Sequence, residues 1–243
     1  MNNLKTNFGK RKVSSNKKTS LVQGLFSNVA KNYDIMNDCM SFGAHRLWKS
    51  ELIEMLNIQK NDKIIDIGSG TGDLINLILK KITPNNIYSV DLNEQMLSYA
   101  IKKFKNKNIK FIKANAEKLP FKDNTFDKYI ISFCLRNLTD INKALLESYR
   151  VLKPGGAFYC LEFSTPKTNI IKKIYNEYKK NIIPWIGEII AQNREAYIYL
   201  AESISLFPNQ KELISNLKKV GFFETNYINL FNGIVSIHSG YKV

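Results

Sequence analysis

The chain has 243 residues, 44% of them hydrophobic, and carries 36 Lys and Arg against 21 Asp and Glu for a net charge of +15. That length and apolar content suffice for one sizeable core, and no apolar run approaches the roughly 18 residues that span a bilayer. Cys39, Cys134 and Cys160 lie far apart, without a CxxC or a nearby histidine, so neither zinc nor a disulfide framework is expected and a reducing compartment fits.

Residues 1–20 hold six Lys and Arg and no acid. They read as a disordered basic arm, with a mitochondrial transit peptide or a nucleic-acid tail as alternatives. Transit peptides favour Arg, and this segment has one Arg against five Lys. The lysines elsewhere are scattered through a chain also rich in Asn and Ile, which fits biased base composition in the gene. A positive field would still favour anionic lipid headgroups.

The stretch YDIMNDCMSFGAHRLWKS (33–50) comes before any strand and carries two Met, a Trp and one of only two histidines. Beyond it, strands alternate with helices. KIIDI (63–67), IYSVD (87–91), IKFIK (109–113), KYIIS (128–132) and AFYCLEFS (157–164) read as strands. Helical spacing follows the first through Leu74, Ile75, Leu77 and Ile78; Asn93 caps the helix of Met96, Leu97 and Ala100; a further helix covers 139–152 and stops at KPGG. This alternation predicts an α/β, doubly wound, Rossmann-like domain over 21–243, with a mostly parallel sheet. Residues 168–206 read as a helical insertion with an apolar patch at 182–190. A helix over 209–219 leads into a terminal hairpin turned at Asn232 and Gly233.

IIDIGSGTGD places Gly68, Gly70 and Gly72 between a strand and a helix, the switch point where doubly wound folds bind ligands. The spacing G-x-G-x-G departs from the dinucleotide fingerprint, whose third small residue would fall on Asp73. Asp66 beside the loop suits an ammonium group better than a pyrophosphate. Asp91, with Leu92 after it, ends the second strand where a carboxylate can accept both ribose hydroxyls. Ribose, a positive centre and an amino-acid tail together describe S-adenosylmethionine. Asn115 and Ala116 after the third strand are placed for the adenine, and Ser132 at the end of the fourth for the sulfonium end.

With these residues in register, the sequence resembles the ubiquinone/menaquinone biosynthesis C-methyltransferases, from TNFG (6–9) to GIVSIHSGYK (233–242). Its most specific segments are YDIMNDCMSFGAHRLWK and RVLKPGGAFYCLEFS (150–164). The resemblance implies the class I methyltransferase fold, a seven-stranded sheet with an antiparallel terminal strand. It also implies S-adenosylmethionine binding at Thr71, Asp91, Asn115, Ala116 and Ser132. It departs at Asn115, where the family commonly has Asp, and at Cys134, where it has Gly.

The reaction so implied is methylation of a ring carbon in a polyprenylated quinol, either 2-polyprenyl-6-methoxy-1,4-benzoquinol or demethylmenaquinol. Residues 21–60 are then expected to form a substrate lid. Met36, Met40 and Trp48 would give it an apolar cover, and Tyr33, Asn37 and His45 polar contacts to the quinol oxygens. The ring carbon becomes nucleophilic as a neighbouring phenol ionises, so a group that stabilises phenolate is required. Arg136 and Asn137 are the expected candidates, Arg136 also as a group polarising a water that takes the proton. A salt bridge is the structural alternative for Arg136, and His238 reads as a packed strand residue. The 182–190 patch with Tyr197 and Tyr199 is expected to meet the bilayer or hold the tail.

The expected partners are the quinol, a membrane surface contacted peripherally, and a quinone-biosynthesis complex or second copy; no metal and no nucleic acid are expected. The expected place is the cytoplasmic face of a bacterial inner membrane, with the mitochondrial matrix side as alternative. An RNA methyltransferase would share the glycine loop, but it would need a basic, aromatic-interleaved stripe that this sequence lacks.

Overall fold

The computed structural model describes residues 5–191 and 193–243, with the side chains of 190 and 191 left aside. The chain opens with a hairpin, β1 (Lys5–Phe8) and β2 (Arg11–Ser14), and three helices, α1 (Ser15–Val29), α2 (Tyr33–Ser41) and α3 (Ala44–Met55). There follow β3 (Ile64–Ile67), α4 (Asp73–Ile78), β4 (Ile87–Asp91), α5 (Glu94–Lys103), β5 (Lys110–Lys113), β6 (Phe126–Ser132), α6 (Ile141–Val151) and β7 (Leu152–Phe163). An insertion of α7 (Asn169–Glu177), a π-helical turn, α8 (Ile183–Ala191) and α9 (Arg194–Leu206) precedes α10 (Gln210–Val220), β8 (Phe223–Leu230) and β9 (Val235–Tyr241).

Seven strands form one sheet in the order β5-β4-β3-β6-β7-β9-β8, with β9 antiparallel to both neighbours. Strands β3 and β6 lie at the centre of the sheet, where both of their faces are covered. One apolar cluster joins α3 and α4 to one face, and the other joins α6 and α10 to the opposite face. Local capping agrees with the expected boundaries. Asn93 accepts the Met96 N–H at 3.0 Å. Asn209 and Glu212 form a reciprocal capping box at the start of α10.

Two boundaries differ by more than two residues from those the sequence suggested. Residues 5–20, expected as a disordered arm, form β1, β2 and the start of α1, while residues 1–4 lie outside the described residues. The reason is tertiary: Phe8 stacks on Tyr199 at 4.3 Å, the Lys10 N–H donates to Glu202, and Lys18 is buried with its ammonium on the Leu138 carbonyl at 2.5 Å. Strand β7 begins at Leu152, not at 157, because Leu152 pairs with Phe126 and the Gly155 N–H donates to the Lys242 carbonyl. No described helix is long and apolar enough to cross a membrane.

Candidate active site

The glycine loop leaves the end of β3 through three left-handed residues, Gly68, Gly70 and Gly72. A Cβ on Gly68 would overlap the side chain of Cys134, so the loop closes against the turn after β6 only with glycine here. The Asp91 carboxylate holds this loop. One oxygen accepts the Gly70 N–H at 2.8 Å and the other the Asn93 N–H at 2.7 Å. The carboxylate keeps acceptor capacity for ribose hydroxyls. Burial pushes the Asp91 carboxyl up, while those N–H donors pull it back.

Gly68, Gly70, Asp91, Leu92, Asn115 and Ala116 line one cleft, roofed by Val22, Gln23 and Phe26 of α1. Asn115 accepts the Glu117 N–H at 2.9 Å, which fixes its turn. Asp66 is buried in β3, off the cleft wall, with carboxylate oxygen Oδ2 unpartnered. Its carboxyl is pushed up to about 8 by burial, Asp91 and Asp73 adding to this and Lys49 opposing it. Thr71, Gly72 and Ser132 are not on the wall of the cleft. Thr71 donates to Asp34 at 2.6 Å, a Cβ on Gly72 would meet Phe104, and the Ser132 hydroxyl is buried without a partner. Asp91 at the cleft wall fits a ligand with vicinal hydroxyls, as S-adenosylmethionine has, while Asp66, expected beside the ammonium, lies behind that wall and acts on it only through its charge.

A second, larger cavity of about 660 Å³ lies beneath α2, α3 and the insertion. Tyr33 and Phe133 line both spaces. Asn37, Met40, His45 and Trp48 of the expected lid face this cavity. Met36 does not line it; it is buried instead with Met96, Val29 and Ile183. Burial pushes the Tyr33 hydroxyl up to about 12, so it remains a neutral donor. The His45 Nε2 lies 2.8 Å from Asp38, whose carboxylate also takes two bonds from Arg46 at 2.7 and 2.6 Å. The Arg46 bonds hold Asp38 well below the usual carboxylate range.

Arg136 lines the same cavity from the turn after β6. Its Nη1 donates to Glu162 at 2.8 Å and to the Phe133 carbonyl at 2.6 Å, and its guanidinium lies 5.4 Å from the Phe163 ring centre. The salt bridge weighed as an alternative for Arg136 is therefore present, and it leaves Nε buried and unpartnered. Burial opposes the guanidinium charge, but Glu162, Tyr33 and Tyr199 together more than offset it and Arg136 stays charged. Asn137 lines the cleft, and its carbonyl oxygen accepts the Tyr199 hydroxyl at 3.1 Å. Tyr197 and Tyr199 are buried, so neither belongs to an exposed contact patch. His238 is a buried β9 residue bonded to the Gln210 carbonyl at 3.1 Å.

Glu162 and Tyr175 were not singled out from sequence. For Glu162 a signal exists, an acid inside the apolar run FYCLEF. Such a residue, buried in a strand, needs a cationic partner. Tyr175 lies in an amphipathic helix and carries no such mark.

Residues 11–242 match the model of the ubiE/COQ5 methyltransferase family. The chain is 53% identical to the ubiquinone/menaquinone biosynthesis C-methyltransferase UbiE of Rickettsia prowazekii (strain Madrid E), across 98% of this chain and 99% of that one. The protein of the same name from Rickettsia bellii (strain RML369-C) is 51% identical with the same coverage. A solved S-adenosylmethionine-dependent methyltransferase from Thermotoga maritima, described as a possible histamine N-methyltransferase, superposes with a TM-score of 0.64 at 21% identity, across 91% of this chain and all of that one. The phosphoethanolamine N-methyltransferase 2 of Haemonchus contortus, solved with phosphomonomethylethanolamine and S-adenosylhomocysteine, gives 0.60 at 15% identity, across 82% and 52%. These two likenesses show the fold.

Proposed function

This chain belongs to the ubiE/COQ5 methyltransferase family, and on that premise we propose that the quinol ring it methylates is held in the 660 Å³ cavity. It is an S-adenosylmethionine-dependent C-methyltransferase of ubiquinone/menaquinone biosynthesis. The observation that carries the substrate reading is the join of the two spaces at Tyr33 and Phe133. One space suits a nucleoside with an ammonium group, the other an apolar ring.

When bound, S-adenosylmethionine supplies an electrophilic methyl group that needs no activation by the protein. Asp91 would hold the ribose hydroxyls, Asp66 would favour the ammonium, and Leu92, Asn115 and Ala116 would flank the base. Arg136 faces the cavity with its charge intact and supports the phenolate that develops as the ring carbon becomes nucleophilic. Glu162 and Phe163 fix the guanidinium in place, so little reorganisation accompanies the charge movement. Tyr33, neutral throughout, adds a donor at the join.

The mouth of the cavity supports a peripheral contact with a lipid surface, which we place at the cytoplasmic face of a bacterial inner membrane. Its rim carries Phe42, Leu47 and Ile174, 84%, 65% and 62% exposed, and Trp185 and Ile189, each 59% exposed, extend the apolar surface along α8. Lys172, Lys173 and Lys180 flank it, a combination suited to anionic headgroups.

The test is transfer of a labelled methyl group to a short-tailed, chemically reduced benzoquinol or naphthoquinol, with the product's position of methylation read by mass spectrometry and NMR. A new ring-carbon methyl is expected. Methylation only of oxygen, or only of added RNA, would overturn the reading.

A further inference from the structure

A base must take the phenolic proton, and none of the cavity's described lining residues is a carboxylate. Four of those residues carry a buried polar atom without a partner: Trp48 Nε1, Arg136 Nε, the Tyr175 hydroxyl and His45 Nδ1. Folded proteins leave few such atoms unpaired, so a cluster of them around one apolar space points to a ligand with polar groups of its own. The indole and guanidinium nitrogens can only donate. Tyr33, Tyr175 and Tyr178 are all pushed up by burial and hold their protons. Lys49 is engaged by Asp73 at 2.6 Å. Glu162 lies behind Arg136 and does not reach the cavity wall.

His45 is different. Its Nε2 faces the Asp38 carboxylate, which can only accept, so that nitrogen carries the hydrogen and the neutral ring presents Nδ1 as an acceptor. Burial and Lys49 keep the ring neutral, while Asp38 and Asp73 favour the imidazolium; Arg46 holds Asp38 from the other side. Trp48 stands one turn further along α3, on the same face of the cavity.

We propose that His45 is the general base of the methyl transfer, its Nδ1 taking the phenolic proton of the quinol while Trp48 Nε1 donates to the other ring oxygen. Asp38 is the positioning residue that fixes the tautomer. The phenolic O–H bond breaks, its electron pair passes into the ring and an Nδ1–H bond forms. After the new carbon–carbon bond is made, the ring carbon's own hydrogen leaves as a proton to water. His45 then returns its proton to the ring oxygen, so the net release is one proton to solvent. This assignment rests on the quinol reading above.

The experiment compares wild type with His45→Gln, which keeps a donor toward Asp38 but cannot accept the proton. Activity of wild type on the reduced short-tailed quinol tests the quinol reading; the variant tests the base. A kcat lower by about 10²–10³-fold is expected, recovering as pH rises toward the phenol's own ionisation, with S-adenosylmethionine affinity within about twofold. Asp38→Asn should move the acidic limb of the wild-type pH–rate profile to lower pH, because removing a negative charge makes the ring less basic. As a readout independent of turnover, ¹⁵N NMR of the S-adenosylhomocysteine-bound protein should show Nδ1 unprotonated alone and shifted toward the protonated value when the phenol binds. A kcat for His45→Gln within about threefold of an active wild type, or a proton resident on Nδ1 in the free protein, would overturn the assignment.

Discussion

The cofactor cleft and the quinol cavity share Tyr33 and Phe133 yet are built from different materials. The cleft is made by backbone: left-handed glycines, N–H groups held by Asp91 and strand ends in parallel register. The cavity is made by side chains from five helices and the segments between elements, and four of its buried polar atoms have no partner. Such construction predicts separable responses. Changes in the cleft should appear in cofactor affinity, and changes in the cavity should appear in kcat with affinity for the cofactor spared.

The largest effect should come from Arg136→Ala, with kcat reduced by about 10²–10³-fold and S-adenosylmethionine affinity nearly unchanged. The same change strands Glu162 in a fully buried position, so unfolding free energy should also fall, by about 3–5 kcal/mol. Thermal melting checks this. The double variant Arg136→Met with Glu162→Gln should regain much of the stability and none of the activity. Recovery of both together would erase the distinction between the two regions at this residue.

Next comes Asp91→Ala on the cleft side. Loss of charge-assisted bonds to two hydroxyls should weaken S-adenosylmethionine by about 10- to 150-fold, or about 1.5–3 kcal/mol, as measured by calorimetry. The kcat at saturating cofactor should change little. Unchanged affinity would mean the ribose is held elsewhere.

How much of this was legible in sequence follows from the same division. Strands β3 and β4, the glycine loop, the Asn93 cap and the Asn209 capping box rest on neighbours within a few residues, and such signals survive in one dimension. The N-terminal hairpin does not work that way. Phe8 stacks on Tyr199, 191 positions away in the chain, and Lys10 and Lys18 meet Glu202 and Leu138, which is why a basic segment read as an arm folds as a hairpin. Arg136 was visible as a candidate, but its partner Glu162 comes 26 residues later, and only folding brings β6 and β7 side by side. Met36 and Met40 look alike in sequence, yet only Met40 faces the cavity. The helical register against α8 and α9 decides that, and no local pattern encodes it.

A smaller effect sharpens the cleft side through pH. Asp66 is raised to about 8 in the cofactor-free protein, so the folded state keeps a proton that the unfolded chain has lost. Stability should therefore fall as pH rises from the ordinary carboxylate range to about 8 and level off above it, by up to about 1.4 kcal/mol per pH unit. Asp66→Asn should flatten that slope. A bound ammonium favours the carboxylate, so cofactor binding below pH about 8 should release a proton in wild type and none in the variant. Calorimetry in buffers of different ionisation enthalpy reads this directly, and equal proton release in both would separate Asp66 from the ammonium.

The smallest effect should lie at the rim. Phe42→Ser with Leu47→Ser removes exposed apolar surface without touching the cavity floor. Binding to anionic vesicles should weaken by about tenfold, while turnover of a short-tailed quinol in solution stays within about twofold. Loss of short-tail turnover would show the rim to be part of the ring site.

The most direct test of the central claim, that the quinol ring sits in the cavity walled by α3, uses Trp48. The chain has only two tryptophans, and Trp185 is exposed on α8. In Trp185→Phe the remaining emission comes from Trp48 alone, and an oxidised short-tailed quinone is an efficient quencher at contact. Saturating quinone, added to the S-adenosylhomocysteine-bound protein at the concentration that inhibits methyl transfer, should quench most of the Trp48 emission. Emission that stays unchanged while methyl transfer is inhibited would place the ring elsewhere and contradict the account.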